Sequence, residues 1–286
     1  MKPVWYIQKR EPDRDGFLQR LIYAVQEAGM ETRVAEFVSG GGMDYGFLPT
    51  DRPVVFRGGI SVVIDWRRRA TGLVPFVWYD TDALSCRTYY AHWANELVQR
   101  RFYFLPFGVL PHLQNQIFEM LGRSGQVFIR PDSNDKTFVG ELVSRDHFQN
   151  FYDSASEDGT RSDDLCVVSR PETIHSEWRL IMADGQVVTG SRYKTENLAE
   201  PASGYPREAG QLAERIASRW SPHSIFALDI GLTDDGYRII ECGSINCAGL
   251  YECELPSVVE AMGRIAERDF VSQTSIGEIG LTKRSD

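Results

Sequence analysis

Two acidic residues and a pair of polar neighbours carry the clearest chemistry in the chain. In the stretch FALDIGLTDDGYRIIECGSINCAG, residues 226–249, one apolar run reaches Asp229 and a second ends in Glu241, with Ser244 and Asn246 just beyond. The turn Asp234-Asp235-Gly236 between the runs predicts a hairpin. Asp229 and Glu241 then lie near one end of a sheet, on adjacent or nearly adjacent strands, within reach of one divalent cation. Hard oxygen donors of this kind suit magnesium, which keeps several waters and takes one or two carboxylates plus substrate phosphates. An acidic hairpin is also an ordinary solvated surface feature, so the rest of the chain must decide between the two.

The cations that could answer those acids come earlier. Val127-Phe128-Ile129 reads as a strand delivering Arg130, and the polar turn PDSNDKTFVG, residues 131–140, carries Lys136. A cation at a strand end with a second on the adjoining turn is a two-point clamp for phosphates. A second hairpin, Trp178 to Ala183 and Gln186 to Tyr193, turns at Asp184-Gly185. Strand alternation puts Glu177 and Arg179 on one face, and likewise Arg192 and Lys194. Arg130, Lys136, Arg179 and Arg192 thus gather near strand ends and turns of a chain whose net charge is -9.

Nucleophile and zinc chemistry fit less well. None of His92, His112, His147, His175 and His223 sits in a recognisable nucleophile context. The five cysteines are odd in number; Cys242, Cys247 and Cys253 match no common zinc spacing, so all five read as reduced thiols.

The elements that position these groups follow from periodicity. Residues 3–8 form a strand, and Phe17, Leu18, Leu21, Ile22, Val25 and Ala28 mark a helix that Gly29 ends. Residues 32–38 form a strand before a loose loop at Gly40-Gly41-Gly42, which lacks a phosphate-loop pattern. Short strands at 53–56, 60–64 and 74–79 complete a small α/β layer over residues 1–90. Residues 88–100 are helical, 102–111 form an extended crossover, and 113–121 form a helix capped by Gly122. Residues 165–169 form a strand closed by Arg170-Pro171. A loop at 196–206, a helix at 208–220, a last helix at 255–270 and a frayed tail from 272 finish the chain.

Composition bounds the function. The 286 residues are 42% hydrophobic and 25% charged, which is globular rather than disordered. A pI near 5.2 argues against broad nucleic-acid binding. No signal-peptide stretch and no window approaching the roughly 18 apolar residues of a membrane span is present, so a cytoplasmic protein without a membrane partner is expected.

Taken in order, FIRPDSNDKTFVG, SEWRLIMADGQVVTGSRYK and IIECGSINCAGLY resemble the ATP-grasp superfamily, in particular its R2K branch of bacteria and phages. The resemblance covers about residues 100–265. It implies an α+β ATP-grasp fold, two subdomains gripping ATP, preceded by a small Rossmann-like α/β pre-grasp domain. The expected boundaries are 1–110 for the pre-grasp domain and 111–286 for the grasp, with a lid at about 125–170 and a metal-bearing subdomain at about 171–270. It implies ATP and Mg2+ as cofactors. Arg130 would take the place of a phosphate-binding Lys, Lys136 would cover the phosphates, and the Val168, Ser169 and Arg170 main chain would meet adenine. Glu177 is grouped with these nucleotide-binding residues. Arg179, Arg192 and Lys194 would face the phosphates or an acyl phosphate, and Asp229, Glu241 and Asn246 match the acid, acid, Asn set for magnesium.

Two departures stand out. The compact E-x-N of the family is here Glu241-Cys242-Gly243, leaving Ser244 and Asn246 as alternative third ligands, and the loop 131–140 is poor in glycine. The implied activity is an ATP- and Mg-dependent ligase joining a small-molecule or peptide carboxylate to an amine or thiol through an acyl phosphate. A nucleotide-binding regulatory protein without turnover, or a small-molecule kinase, would use the same site. Trp66, Trp78, Tyr79 and Trp93 of the first layer are candidates for an acceptor pocket or, as aromatic residues of a small layer more often are, for core.

Overall fold

The computed structural model describes residues 1–9, 16–38, 42–44, 48–69, 73–135, 137–196 and 198–282. The first strand, β1 (Val4–Gln8), is buried at every position. A parallel strand covered on both faces must be so. α1 (Phe17–Glu27) crosses over to β2 (Glu31–Val38), which pairs parallel with β1, and β3 (Gly42–Asp44) adds an antiparallel edge. β4 (Val54–Arg57) pairs with the other side of β1. Gly29 ends the first crossover as expected, with a left-handed φ of 70° that only glycine adopts cheaply.

The expected strand at 60–64 is instead a helix, α2 (Ile60–Arg69). A short β-branched run cannot be assigned by period alone. Here the chain leaves one parallel strand and must cross over to the next, β5 (Pro75–Phe76), which pairs with β4. The Gly59 carbonyl accepts from both Val62 and Val63 N–H at 3.1 Å, starting the helix. Its Val62 and Val63 are buried in the core. The sheet order is β3-β2-β1-β4-β5. Of the glycine loop expected at 40–42, Gly40 and Gly41 lie outside the described residues, while Gly42 begins β3.

α3 (Cys86–Trp93) leads into a second, four-stranded antiparallel sheet. The crossover expected at 102–111 supplies its first strand, β6 (Phe102–Pro106), and then a 3-10 stretch, Phe107–Leu113. After α4 (Gln114–Leu121) come β7 (Gln126–Pro131), β8 (Glu141–Ser144), α5 (Phe148–Glu157) and β9 (Leu165–Ser169), in the order β6-β9-β7-β8.

The third sheet contains both expected hairpins: β10 (Ser176–Ala183) with β11 (Gln186–Thr195), and β13 (Ile225–Thr233) with β14 (Gly236–Gly243). The segment expected as a loop at 196–206 holds an edge strand, β12 (Leu198–Ser203), paired only with β11. Its sequence LAEPAS is almost wholly exposed and carries Pro201, which an edge tolerates and a central strand does not. The order is β12-β11-β10-β13-β14. α6 (Arg207–Ala217) covers one face, and the last helix, α7 (Leu255–Thr282), continues past the predicted end at 270. No helix among the described residues is long and apolar enough to cross a membrane.

The first and third sheets share two cores. Tyr6, Phe56, Trp93, Leu180, Phe226 and Leu228 meet in one of them. Trp5, Val55, Ile181, Ile225, Val258 and Met262 meet in the other. Trp78, Tyr79 and Trp93 belong to these cores, and the side chain of Trp66 lies outside the described residues. The second sheet packs mainly against a core of its own, with Phe107, Phe118, Ile129, Phe148 and Val168. Burying such a side chain contributes about 1.5–3 kcal/mol. The third sheet is therefore fixed firmly to the first and more lightly to the second.

Candidate active site

Pairing of the third sheet aligns three charged side chains. Register sets Arg179 of β10 opposite Asp229 of β13, and Asp229 opposite Glu241 of β14. Residues directly opposite on one face have Cβ atoms about 4.5–5.5 Å apart. Just beyond the acidic pair, a bulge makes Ile230 pair with Ile239 and leaves Ile240 over. Arg130, from the end of β7 in the second sheet, closes the row by donating from Nη2 to Glu241 Oε2 at 2.6 Å. The row runs cation, anion, anion, cation across two sheets.

Arg179 holds Asp229 in a fork, Nε to Oδ1 at 2.7 Å and Nη2 to Oδ2 at 2.6 Å, and donates from Nη1 to the Gly249 carbonyl at 3.1 Å. Its guanidinium also lies against the rings of Tyr193 and Tyr251, which stack on each other with centroids 5.0 Å apart. Burial works against both charges of the fork. It raises the Asp229 carboxyl, as do Glu241 and Glu177, while Arg179 draws it down; the net direction is upward. For Arg179, burial is outweighed by the Asp229 carboxylate, and the guanidinium is held above its ordinary value. Breaking one side of such a pair costs about 3–5 kcal/mol, because the other charge stays buried alone.

Glu177 and Lys194 join the margin of this row. Lys194 Nζ lies 2.8 Å from Glu177 Oε1, and the Tyr193 hydroxyl donates to Glu177 Oε2 at 2.6 Å. Burial and then the neighbouring carboxylates keep that phenol protonated. Arg192 is not brought here. The ladder slips at this point: Glu177 pairs with Lys194 and Trp178 with Arg192, leaving Tyr193 over as a bulge residue. A bulge breaks strict alternation. Tyr193 consequently takes the place beside Asp229, and Arg192 instead pairs with Glu200 of β12 at 3.0 Å.

The remaining expected residues are dispersed. Val168 and Ser169 are buried within β9, flanked by β6 and β7, so ladders on both sides engage their main chain. The main chain turns out of the sheet only at Arg170, whose N–H donates to the Arg101 carbonyl at 2.9 Å. Lys136 lies outside the described residues. Asn246 faces the first sheet: its Nδ2 donates to the Phe56 carbonyl at 2.6 Å, and its Oδ1 accepts from Trp78 N–H at 2.7 Å. Arg57 secures the same turn, donating to the carbonyls of Ile245 and Ala248 at 2.5 Å. Ser244 stays beside the acidic pair, buried, with its hydroxyl donating to Asn246 Oδ1 at 3.2 Å.

Two cavities meet here. One, of about 150 Å³, is lined by Asp229, Glu241, Arg179, Ser244, Gly243 and Asn134. The other, of about 350 Å³, lies between the third sheet's loop at 247–252 and the first sheet, with Phe17, Leu18, Leu21, Gln8, Arg57 and Tyr251 among its walls. Cys247, Ala248 and Gly249 line both. Sequence reasoning missed Asn134, Tyr193 and Tyr251. Asn134 lay within the singled-out turn 131–140, where only the lysine drew notice, and both tyrosines lie within the quoted motif stretches. All five cysteines are free; four are buried and Cys247 is half-buried. No group of three His, Cys, Asp or Glu side chains among the described residues could hold a metal.

Comparison with known proteins agrees with this architecture. The model of one family, the ATP-grasp domain of R2K clade family 2, matches residues 113–261, just over half of the chain. No curated protein matches. Among solved structures, the D-cycloserine synthetase DcsG is 14% identical with a TM-score of 0.63, covering 92% of this chain and 99% of its own. The D-alanyl-alanine synthetase A of Vibrio cholerae is 12% identical with a TM-score of 0.60, covering 94% and 98%. The ATP-grasp ligase PsnB, complexed with a phosphomimetic variant of its minimal precursor, Mg and ADP, is 14% identical with a TM-score of 0.54, covering 95% and 98%. At such identities the likeness is one of fold.

Proposed function

The chain belongs to the R2K clade of ATP-grasp domains, family 2, and from that premise we propose that it is an ATP- and magnesium-dependent ligase joining a carboxylate to an amine or thiol. The observation that carries this reading is the row Arg179, Asp229, Glu241, Arg130, which places two carboxylates between two cations. Hard oxygens opposite one another in a small cavity fit magnesium, and the flanking guanidiniums fit phosphate oxygens. Held by Asp229 and Glu241, magnesium would neutralise charge on the transferred phosphate.

The chain's own residues do the positioning. Arg130 stands at the end of β7 and Arg179 on β10, so phosphates between them are gripped from two sheets, with Lys194 at the margin. Phosphoryl transfer needs little beyond such placement and charge neutralisation. An oxygen of the substrate carboxylate attacks the γ-phosphorus, the bond to the bridging oxygen breaks, and ADP leaves an acyl phosphate. The amine or thiol then attacks the acyl carbon, phosphate departs, and the nucleophile gives up its proton. The 350 Å³ cavity, at the low end of the usual 300–1,000 Å³ for small-molecule sites, would hold the organic partner beside the phosphates. Small molecules or a peptide terminus are the class expected. The adenine end would meet the chain at Arg170, where β9 leaves its sheet, and Lys136 is assigned to the phosphates from its loop.

Hydroxylamine trapping tests the proposal. With ATP, magnesium and a panel of amino acids and short peptides, ADP release should be matched by hydroxamate from at least one acid. A stable phosphorylated product without hydroxamate would make the protein a kinase. ATP binding with no ADP across the panel would make it a nucleotide-binding regulator.

A further inference from the structure

We propose that Asn134, reaching across from the second sheet, supplies a third protein oxygen to the magnesium-nucleotide site. The inference rests on the reading above, in which Asp229 and Glu241 hold the metal. Asn134 lies in the turn after β7 and is 8% exposed. Its Nδ2 donates to the Cys242 carbonyl at 3.1 Å, beside Glu241. That bond engages the amide nitrogen and leaves the carboxamide oxygen, which accepts no hydrogen bond from the described residues, on a side chain that lines the 150 Å³ cavity. The residue is buried, but its oxygen is not sealed off: Asn134 lines the cavity that Asp229 and Glu241 also line, where an entering cation can reach it.

Gly243 faces the Asn134 carboxamide across open space. A Cβ built there would meet nothing within 4 Å except the Asn134 carboxamide, with Nδ2 and Oδ1 both at 3.7 Å. Asn246 and Ser244 do not compete for the role, because the Asn246 amide serves Phe56 and Trp78 and the Ser244 hydroxyl serves Asn246. Two carboxylates and one neutral oxygen leave positions for water and phosphate on a six-coordinate hard cation. The second sheet, with its separate core, also supplies Arg130, so the bound metal and nucleotide would tie it to the third sheet.

The test is binding of Mn2+ in the presence of a non-hydrolysable ATP analogue, read from the free-Mn2+ electron paramagnetic resonance signal, with thermal melting to confirm folding. Asn134→Ala should weaken Mn2+ binding about tenfold or more, as loss of a metal's supporting group does. Asn134→Asp keeps an oxygen but cannot donate to Cys242, and should hold Mn2+ at least as well as the unmodified protein. Adding Gly243→Asn to Asn134→Ala should recover part of the loss, since the glycine backbone there is not left-handed and the space is open. Equal losses in Asn134→Ala and Asn134→Asp would reduce the residue to a hydrogen-bond donor and overturn the inference. Unchanged binding in Asn134→Ala would do the same. If the unmodified protein bound no Mn2+ with nucleotide, the underlying site assignment would fail first.

Discussion

The two cavities on either side of the Cys247 to Gly249 wall are built from opposite materials. The smaller is bounded by charges that already answer one another: Arg179 forks Asp229, and Arg130 meets Glu241. The larger is bounded by aliphatic and aromatic side chains such as Leu18, Leu21 and Tyr251, with Gln8 and Arg57 held by main-chain partners of their own. Pre-paired charges need no reorganisation to receive a charged ligand of fixed shape, whereas an apolar cavity discriminates by size and fit. On the ligase reading proposed above, the first cavity would take the constant half of the reaction, the phosphates of ATP, and the second the variable half, the organic partner.

The largest effect that would break this contrast is on the acidic pair. Asp229→Asn with Glu241→Gln should lower ADP release by about 10³-fold or more, the scale reached when transition-state electrostatics are removed. Melting curves should show a folded chain, and turnover within tenfold of normal would take the phosphates out of the smaller cavity. A size change in the other cavity should act differently. Leu18→Trp should raise KM about tenfold for the acid or amine giving the fastest turnover, with KM for ATP within twofold, as a change confined to substrate binding does. Comparable shifts in both constants would merge the two cavities into one site.

A smaller, sharper distinction comes from pH. Metal binds the ionised carboxylate, and burial raises the Asp229 carboxyl above its ordinary value. Mn2+-nucleotide affinity should therefore be full above that raised value and fall about tenfold per pH unit once below it. The fall should begin at a higher pH than an ordinary carboxylate near 4 would give. Titration by the Mn2+ resonance signal checks it, and a profile flat down to pH 4 would show that the Asp229 carboxyl is not raised.

Much of this site can be read from the chain because it depends on local order. An Asp-Gly turn sets each hairpin and so puts Asp229 and Glu241 near the same end of the sheet, while the bulge that leaves Ile240 over brings them directly opposite. Arg130 follows from its place at the end of a short apolar strand. Where regularity fails, so does the reading. The bulge at Tyr193 moves Arg192 to the β12 side, although uniform alternation places it with Lys194. β12 lacks an apolar face, since an edge strand needs only one partner, and its sequence therefore gives no signal. α2 is composed as a strand and made a helix by the crossover between two parallel strands.

The acidic hairpin, Arg130 and Arg179 ahead of it, and the ATP-grasp family were legible in the chain alone. These are properties of spacing along the chain. Which polar side chains share a cavity depends instead on how the three sheets pack. Asn246 stands five residues from Glu241 yet turns to the first sheet, whereas Asn134, more than a hundred residues away, lies beside the acidic pair. Burial accounts for this: a carboxamide in the interior points to whichever main-chain groups need a partner, and the packing of the sheets sets which those are.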